Sequence, residues 1–473
     1  MILFVCGLCN YAQAQDDLLF PVKKFGQWGY INQTGKLVID CQFSAAGEFH
    51  EGLAKVASRN SENNLTLWGV IDSMGKYLFN LEFTAVSDFS YGKAWAQQID
   101  SENIARYYLL TSKGERFLFA QGGGESQNES GRSLISKKYF QDGVTSLVMD
   151  GFRDVIPDFI SDLTLINTSG KLITITTSKT YKYSDYYPAF GQTKSIVVPE
   201  YSSSLRTWEG YYANDNYIQI SLSEVGWLYL NKSFDSVATI RGVEDIGNFD
   251  YGLAPASIIG PNREKLYGYI NINGQFIIEP RYQGASPFSD SRAIVALNNH
   301  YGVIDTLGKS IVEPQYEEIT SFNNGLARFQ IITNDKFPQE KWGVLDKSGK
   351  IKIQAKYDKI SEFREGFAIV ELFGRAGFID KNGKYIVKIL ETKPNNQLKS
   401  YPGYKDADLF SEGLARVQDD KGKWGFIDLK GQTRISHRFE KVENFKNGLA
   451  RYYEGKKAGF VDKNGMIIWK ASE

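Results

Sequence analysis

Short stretches of four to six residues, in which apolar side chains alternate with polar ones or run together, recur along this chain. Lys309 to Val312 is an example, and Ala415-Arg416-Val417 lies within another. Runs of this length suit strands and are too short for helices. Between them stand turn signals with Asp three residues before Gly: Asp305-Thr306-Leu307-Gly308, Asp346-Lys347-Ser348-Gly349, Asp428-Leu429-Lys430-Gly431 and Asp462-Lys463-Asn464-Gly465. An Asp carboxylate accepts hydrogen bonds from turn amides, and Gly takes a left-handed backbone without a Cβ penalty. The pattern predicts strands joined by tight hairpins.

The strands repeat as a larger unit. An aromatic anchor opens each clear copy, before Gly at Trp28, Trp68, Tyr267, Tyr301, Trp342 and Trp424 and before Leu at Trp227, with Tyr107, Leu163, Ala376 and Ala458 at equivalent places. The alanine of a Gly-Leu-Ala-like element follows 26 residues later at Ala54, Ala94, Ala293, Ala327, Ala368 and Ala450. Ala415 lies 39 residues after Ala376, an insertion of 13. From that alanine to the next anchor the interval ranges from 8 to 15. A constant segment joined to an elastic one predicts a packed core with a solvent-facing loop.

Each unit is expected to be a three-stranded meander with an irregular connection carrying aromatic residues. Glu279-Pro280 and Glu313-Pro314 mark strand ends, because proline has no N–H for a ladder. Tyr282, Tyr316, Tyr357 and Phe439, then Phe288, Phe322, Phe363 and Phe445, are expected to plug neighbouring units together. About eleven units would form an all-β, open, curved or superhelical array. One or two β-propellers are the alternative, although propeller blades usually carry four strands rather than three.

Lys341-Trp342-Gly343-Val344-Leu345-Asp346 with Gly349-Lys350, and Lys423-Trp424-Gly425-Phe426-Ile427-Asp428 with Gly431, resemble the bacterial WG-containing, or KWG, β-repeat. The resemblance is strong over 260–473, good over 20–100 and weak over 105–225. It divides the chain into N-terminal repeats at 18–104, degenerate repeats with insertions at 105–225, and C-terminal repeats at 226–473. The family implies a repeat array, exported in many members, and brings no catalytic or ligand residue with it.

Residues 1–14 read as a signal peptide: Met1 to Tyr11 are largely apolar, and Ala12-Gln13-Ala14 has the small-x-small form of a cleavage site. Export would leave Cys41 as the one cysteine of the mature chain, so no intramolecular disulfide is expected. No other stretch approaches 18 apolar residues, so an integral membrane protein is not expected. The expected location is periplasmic, peripheral to the envelope, or extracellular. Lys and Arg number 55 and so do Asp and Glu, a balance that favours no nucleic-acid partner.

Chemistry-bearing residues are sparse. His50, His300 and His437 stand alone, without partners at metal-ligand spacing. The column Asp72, Asp305, Asp346, Asp380, Asp428 and Asp462 is read as turn capping rather than a Ca²⁺ ladder, since Asn32, Asn167, Asn231 and Asn271 replace it elsewhere. The aromatic anchors are read as structural, because Ala and Leu replace them in some copies. Binding is expected where the period breaks. Tyr186, Tyr187, Trp208, Tyr211 and Tyr212 crowd the atypical middle, and Asn60 to Thr66, Thr333 to Lys341 and Thr392 to Tyr404 form projecting loops. The expected function is a non-catalytic exported scaffold for protein–protein interaction in the bacterial envelope, without catalytic residues, cofactor or metal. A glycan- or cell-wall-polysaccharide-binding module is the alternative.

Overall fold

A computed structural model describes residues 18–59, 65–100 and 104–123, the strands at 144–146, 163–167, 172–176, 193–197 and 210–213, residues 217–222, and residues 226–472 apart from 232, 234–235, 335, 390, 393–397 and 401–402. The expected signal peptide lies outside them. The described chain is all-β: small sheets, most of four strands, none closed into a barrel. It divides into two compact units, one reaching Thr239 and the other spanning Ile240–Ala471.

One sheet shows how the pattern is used. Leu326–Ile332 pairs with Glu340–Asp346, which pairs with Ile351–Tyr357, all antiparallel. A two-residue strand, Glu318–Ile319, adds a fourth edge by pairing with Phe329 and Gln330. The expected meander is therefore one strand short of the real sheet. The extra strand is too brief to leave a hydrophobic period. Four strands also make a propeller blade, so strand count does not separate the two architectures considered above.

The sheet is also displaced relative to the sequence repeat. The strand bearing Trp342 pairs with the alanine strand before it, not with the one 26 residues after it. The constant interval is thus the step from one sheet to the next, whereas the elastic interval is a hairpin within a sheet. Packing between sheets fixes the first length, and solvent leaves the second free.

A recurrent bulge explains the glycine that follows most anchors. Trp342 pairs with Tyr357 and Val344 with Ile353, so two steps on one strand face four on the other. The same shift separates Trp28/Phe43 from Tyr30/Ile39 and Trp424/Phe439 from Phe426/Ile435. The longer strand buckles onto the intervening glycine. A Cβ on Gly343 would lie 2.6 Å from Ile353 O, one on Gly302 2.6 Å from Val312 O, and one on Gly425 2.6 Å from Ile435 O. No side chain fits there.

The 13-residue insertion leaves the ladder at this bulge. Phe378 pairs with Val387, and Ala376 then bridges to Tyr404, the position Tyr357 holds opposite Trp342. The backbone is already out of register here, so extra residues cost the ladder little.

Successive sheets within each unit bury their apolar residues against one another. Ile294, Val303, Val312 and Tyr316 of one sheet pack with Ile319, Phe322, Ala327, Phe329 and Leu345 of the next. The turn glycine seals the contact: Gly349 has φ +82°, and a Cβ there would meet Val312 Cγ2 at 2.7 Å. Among the described residues the one cysteine is Cys41, half-buried and unbridged, whose thiol burial pushes up.

Gly425→Ala should lower stability by about 1–3 kcal/mol, because backbone rather than flexible side chain blocks the new methyl. Gly422→Asn, at a turn with φ +78° where a Cβ would meet nothing nearer than Gln418 Nε2 at 3.9 Å, should cost no more than about 1 kcal/mol. Urea midpoints of the two variants check the contrast, and equal losses would refute the close-approach explanation.

Candidate functional site

The conspicuous recurring residues are held by local structure. Asp72 Oδ1 accepts the amides of Met74 and Lys76 at 3.0 and 2.9 Å. Asp305, Asp346, Asp380, Asp428 and Asp462 make the same pair of bonds to the residues two and four further on. Asn32 and Asn271 do likewise with a neutral oxygen. The bonds to Ser348 lead the forces that hold the Asp346 carboxyl below its ordinary range. Asp419 caps a further turn in this way, which the spacing argument did not single out.

The anchors lie on the rim of the core. Trp28, Trp68, Trp227, Tyr267, Trp342 and Trp424 are half-buried, and Tyr301 is exposed. Arg416 lies 5.0 Å over Trp424, and Lys55 6.0 Å over Trp68. The interior position is two residues later, where Tyr30, Val70, Tyr269, Val303, Val344 and Phe426 are fully buried.

A second recurring device had no place in the sequence reading. Before each alanine strand the chain makes a two-residue turn with both central residues at positive φ, as at Glu412 (54°) and Gly413 (83°). The two amides of such a turn form a small anion cradle. In three of these turns a carboxylate from an earlier sheet fills it, and in a fourth Asp290 Oδ2 accepts Gly325 N alone at 2.6 Å. Glu51 accepts Tyr91 N and Gly92 N, Glu365 accepts Glu412 N and Gly413 N, and Glu412 accepts Asn447 N and Gly448 N, at 2.5–2.9 Å. An acid just before Gly-Leu or Gly-Phe was the available signal. Burial pushes the Glu412 carboxyl upward, but the Gly448 amide, the Lys463 ammonium and the Asn447 amide outweigh it and hold the group below its ordinary value.

Two features remain that the framework does not use. One is a set of exposed aromatic residues on the elastic hairpins. Phe25 is 91% exposed, Phe337 74% and Phe373 61%. Phe25 and Phe373 also stand at φ 52° and 53°, a region costly for a bulky side chain. The equivalent hairpin elsewhere uses Asn298-Asn299. The sequence signal was Phe-Gly where Asn-Gly is the natural turn pair. Phe337 belongs to the Thr333–Lys341 loop expected to project.

The second feature is a polar recess of about 450 Å³ near Arg328, lined by residues of three successive sheets. Of the binding residues expected from the sequence, Tyr186, Tyr187 and Trp208 lie outside the described residues. Tyr211 and Tyr212 fall on the strand Gly210–Ala213, opposite Ile220 and Gln219. Most of the 60–66 loop and part of 392–404 are likewise outside. The three histidines lie on separate sheets, with His300 Nε2 3.6 Å from Glu317 and His437 ring-stacked with Tyr404 at 5.6 Å. No group of three metal-capable side chains occurs among the described residues.

The WG containing repeat is matched seven times, at residues 28–60, 68–99, 267–299, 301–336, 342–372, 393–424 and 424–457. Six of these begin at an anchor, and the match at 393–424 takes up the insertion. No curated protein matches the chain. Among solved structures, the computationally designed protein Ika8 is similar at 11% identity, over 82% of this chain and 95% of its own, with TM-score 0.31. The WD40 β-propeller domain of Doa1 is similar at 10% identity, over 54% and 78%, with TM-score 0.21. BamB from Moraxella catarrhalis is similar at 10% identity, over 96% and 95%, with TM-score 0.19. Likeness at this level assigns neither a global arrangement nor an activity.

The Glu412 contact has a defined pH dependence. Its folded-state pKa lies below the ordinary 4.5, so its contribution is complete above 4.5 and is lost as pH falls through the lowered value. Glu412→Gln should therefore be less stable than wild type near neutrality, with the gap closing as the pH is taken well below 4.5. Urea midpoints across that range test this, and a gap independent of pH would show that the carboxylate charge plays no part.

Proposed function

The chain belongs to the WG-repeat family, and we propose that it works as a non-catalytic repeat scaffold that binds a protein partner in the bacterial envelope after export. The observation that supports this is the division of labour among its residues. Recurring carboxylates cap turns or join sheets, recurring glycines admit a buckled strand, and recurring aromatics close the rim of the core. These roles are structural. They leave no cluster of metal-ligating side chains among the described residues.

The exposed hairpin phenylalanines supply the contact points, Phe25 in one unit and Phe337 and Phe373 in the other. A side chain as exposed as Phe25 returns little hydrophobic stabilisation, and its left-handed backbone costs about 1–2 kcal/mol. Within the free chain this is a loss. A partner that covers the ring turns it into a gain, and buried aromatic anchors dominate protein interfaces. Because the elastic hairpins vary in length from sheet to sheet, each presents its tip without disturbing the packed step beneath.

Phe25→Asn and Phe373→Asn should each raise stability by about 1 kcal/mol, the left-handed cost they relieve. The triple variant with Phe337→Ser should lose about tenfold or more of the wild type's capture of its partner from the native envelope fraction. Stability and capture then move in opposite directions. A partner held equally by the variant, or no protein enriched by wild type, would overturn the scaffold reading. So would hydrolysis of a cell-wall substrate abolished by a single carboxylate substitution.

A further inference from the structure

The recess near Arg328 has an internal control: the same junction occurs elsewhere in the chain and is bridged there by an ion pair. The residue after the alanine is a cation at Lys55, Arg328 and Arg416, and each reaches toward the next sheet. Lys55 Nζ meets Asp88 at 3.1 Å. Arg416 donates to Val442 O at 2.5 Å and, through Nε and Nη2, to Asp408 at 3.1 and 2.8 Å. Asn444 then closes that junction by donating to the same Asp408 oxygen at 3.1 Å.

At Arg328 the pieces are different. It donates to Ile360 O at 2.8 Å, as Arg416 does to Val442. But Thr320 stands at the place of Asp408, and its hydroxyl accepts Arg328's own backbone amide at 3.0 Å. Glu362 stands at the place of Asp88 and Asn444, and among the described residues no ion pair joins it to Arg328. The ion pair that bridges the junctions at Lys55 and Arg416 is missing here, and the recess measures about 450 Å³.

One aromatic residue changes with it. Phe89, Phe249, Phe288, Phe322, Phe410 and Phe445 hold equivalent places and are buried to 5% exposure or less. Phe363 lines the recess and is only half-buried. Phe49, the other half-buried member, is packed edge-on against Tyr30 at 4.9 Å.

We propose that this recess binds a neutral saccharide, with Phe363 against the pyranose face and Arg328, Glu362, Asp290 and Thr320 on its hydroxyls. The volume falls in the range of small-molecule sites. Glu362 offers both carboxylate oxygens, Asp290 the oxygen that Gly325 N does not hold, and Arg328 the N–H groups not donated to Ile360 O, while Thr320 and Asn324 add single donors and acceptors. Two carboxylates beside one cation disfavour a phosphate or other polyanion. One cation beside them disfavours a polyamine. A polyhydroxyl ligand with an apolar ring face satisfies both walls. This site is independent of the hairpin tips.

The test is a panel of neutral hexose and N-acetylhexosamine oligosaccharides, presented to the full chain and followed by calorimetric titration of those retained. Wild type should bind at least one saturably. Phe363→Ala and Glu362→Gln should each weaken binding about tenfold or more, with unchanged circular dichroism. Glu362 is exposed, so its substitution keeps the test sound if Phe363→Ala fails to fold. Phe25→Asn with Phe373→Asn should leave the titration unchanged. The proposal is overturned by no retained saccharide, by a saccharide bound equally by Glu362→Gln, or by retention of anionic glycans alone.

Discussion

The structure depends on a steric exclusion: in the repeats whose anchor is followed by glycine, the outgoing strand buckles against a residue that must have no side chain. Opposite Gly343 the bulge brings Ile353 O to where a Cβ would stand, and the same collision recurs at Gly302 and Gly425. The bulge twists the sheet and returns the chain at Tyr357 opposite Trp342. From there the chain leaves for the next sheet. A repeat that lost the glycine would lose the geometry of the step, and with it the fixed distance to the following alanine strand.

Stacking then falls to contacts that cross from sheet to sheet. Apolar residues of adjoining sheets share one core, and turn glycines sit on the preceding sheet's isoleucines or valines. Carboxylates such as Glu365 and Glu412 occupy the next turn's amide cradle. Each contact is between neighbours, so the array grows without needing one large core. Most of the chain's striking periodic chemistry is spent on this assembly. What is free to act on other molecules is what the assembly does not consume: the exposed phenylalanines and the recess at Arg328.

Much of this was legible in the sequence. Asp72, Asp346 and Asp462 stand at an invariant offset from glycine, and their turn bonds follow from that offset alone because the whole interaction spans five residues. The all-β character followed from runs too short for helices. Other features depended on comparison between distant segments. Glu412 carries no sign that its partner is the turn at Asn447 and Gly448. Phe363 looks identical in sequence to Phe322, yet one is half-buried and the other closed over.

The sequence by itself determined the local alphabet of this protein: strand lengths, capped turns, the repeated anchor and the places where insertions enter. Those are decided by interactions within a few residues, which a linear pattern records directly. Only the tertiary structure decided how the alphabet is divided. It assigned each anchor to the sheet behind it, added a two-residue edge strand, turned the constant interval into a step between sheets, and left the recess at Arg328. Each of these is settled by which backbones and side chains meet across a gap, and two identical stretches of sequence meet different neighbours.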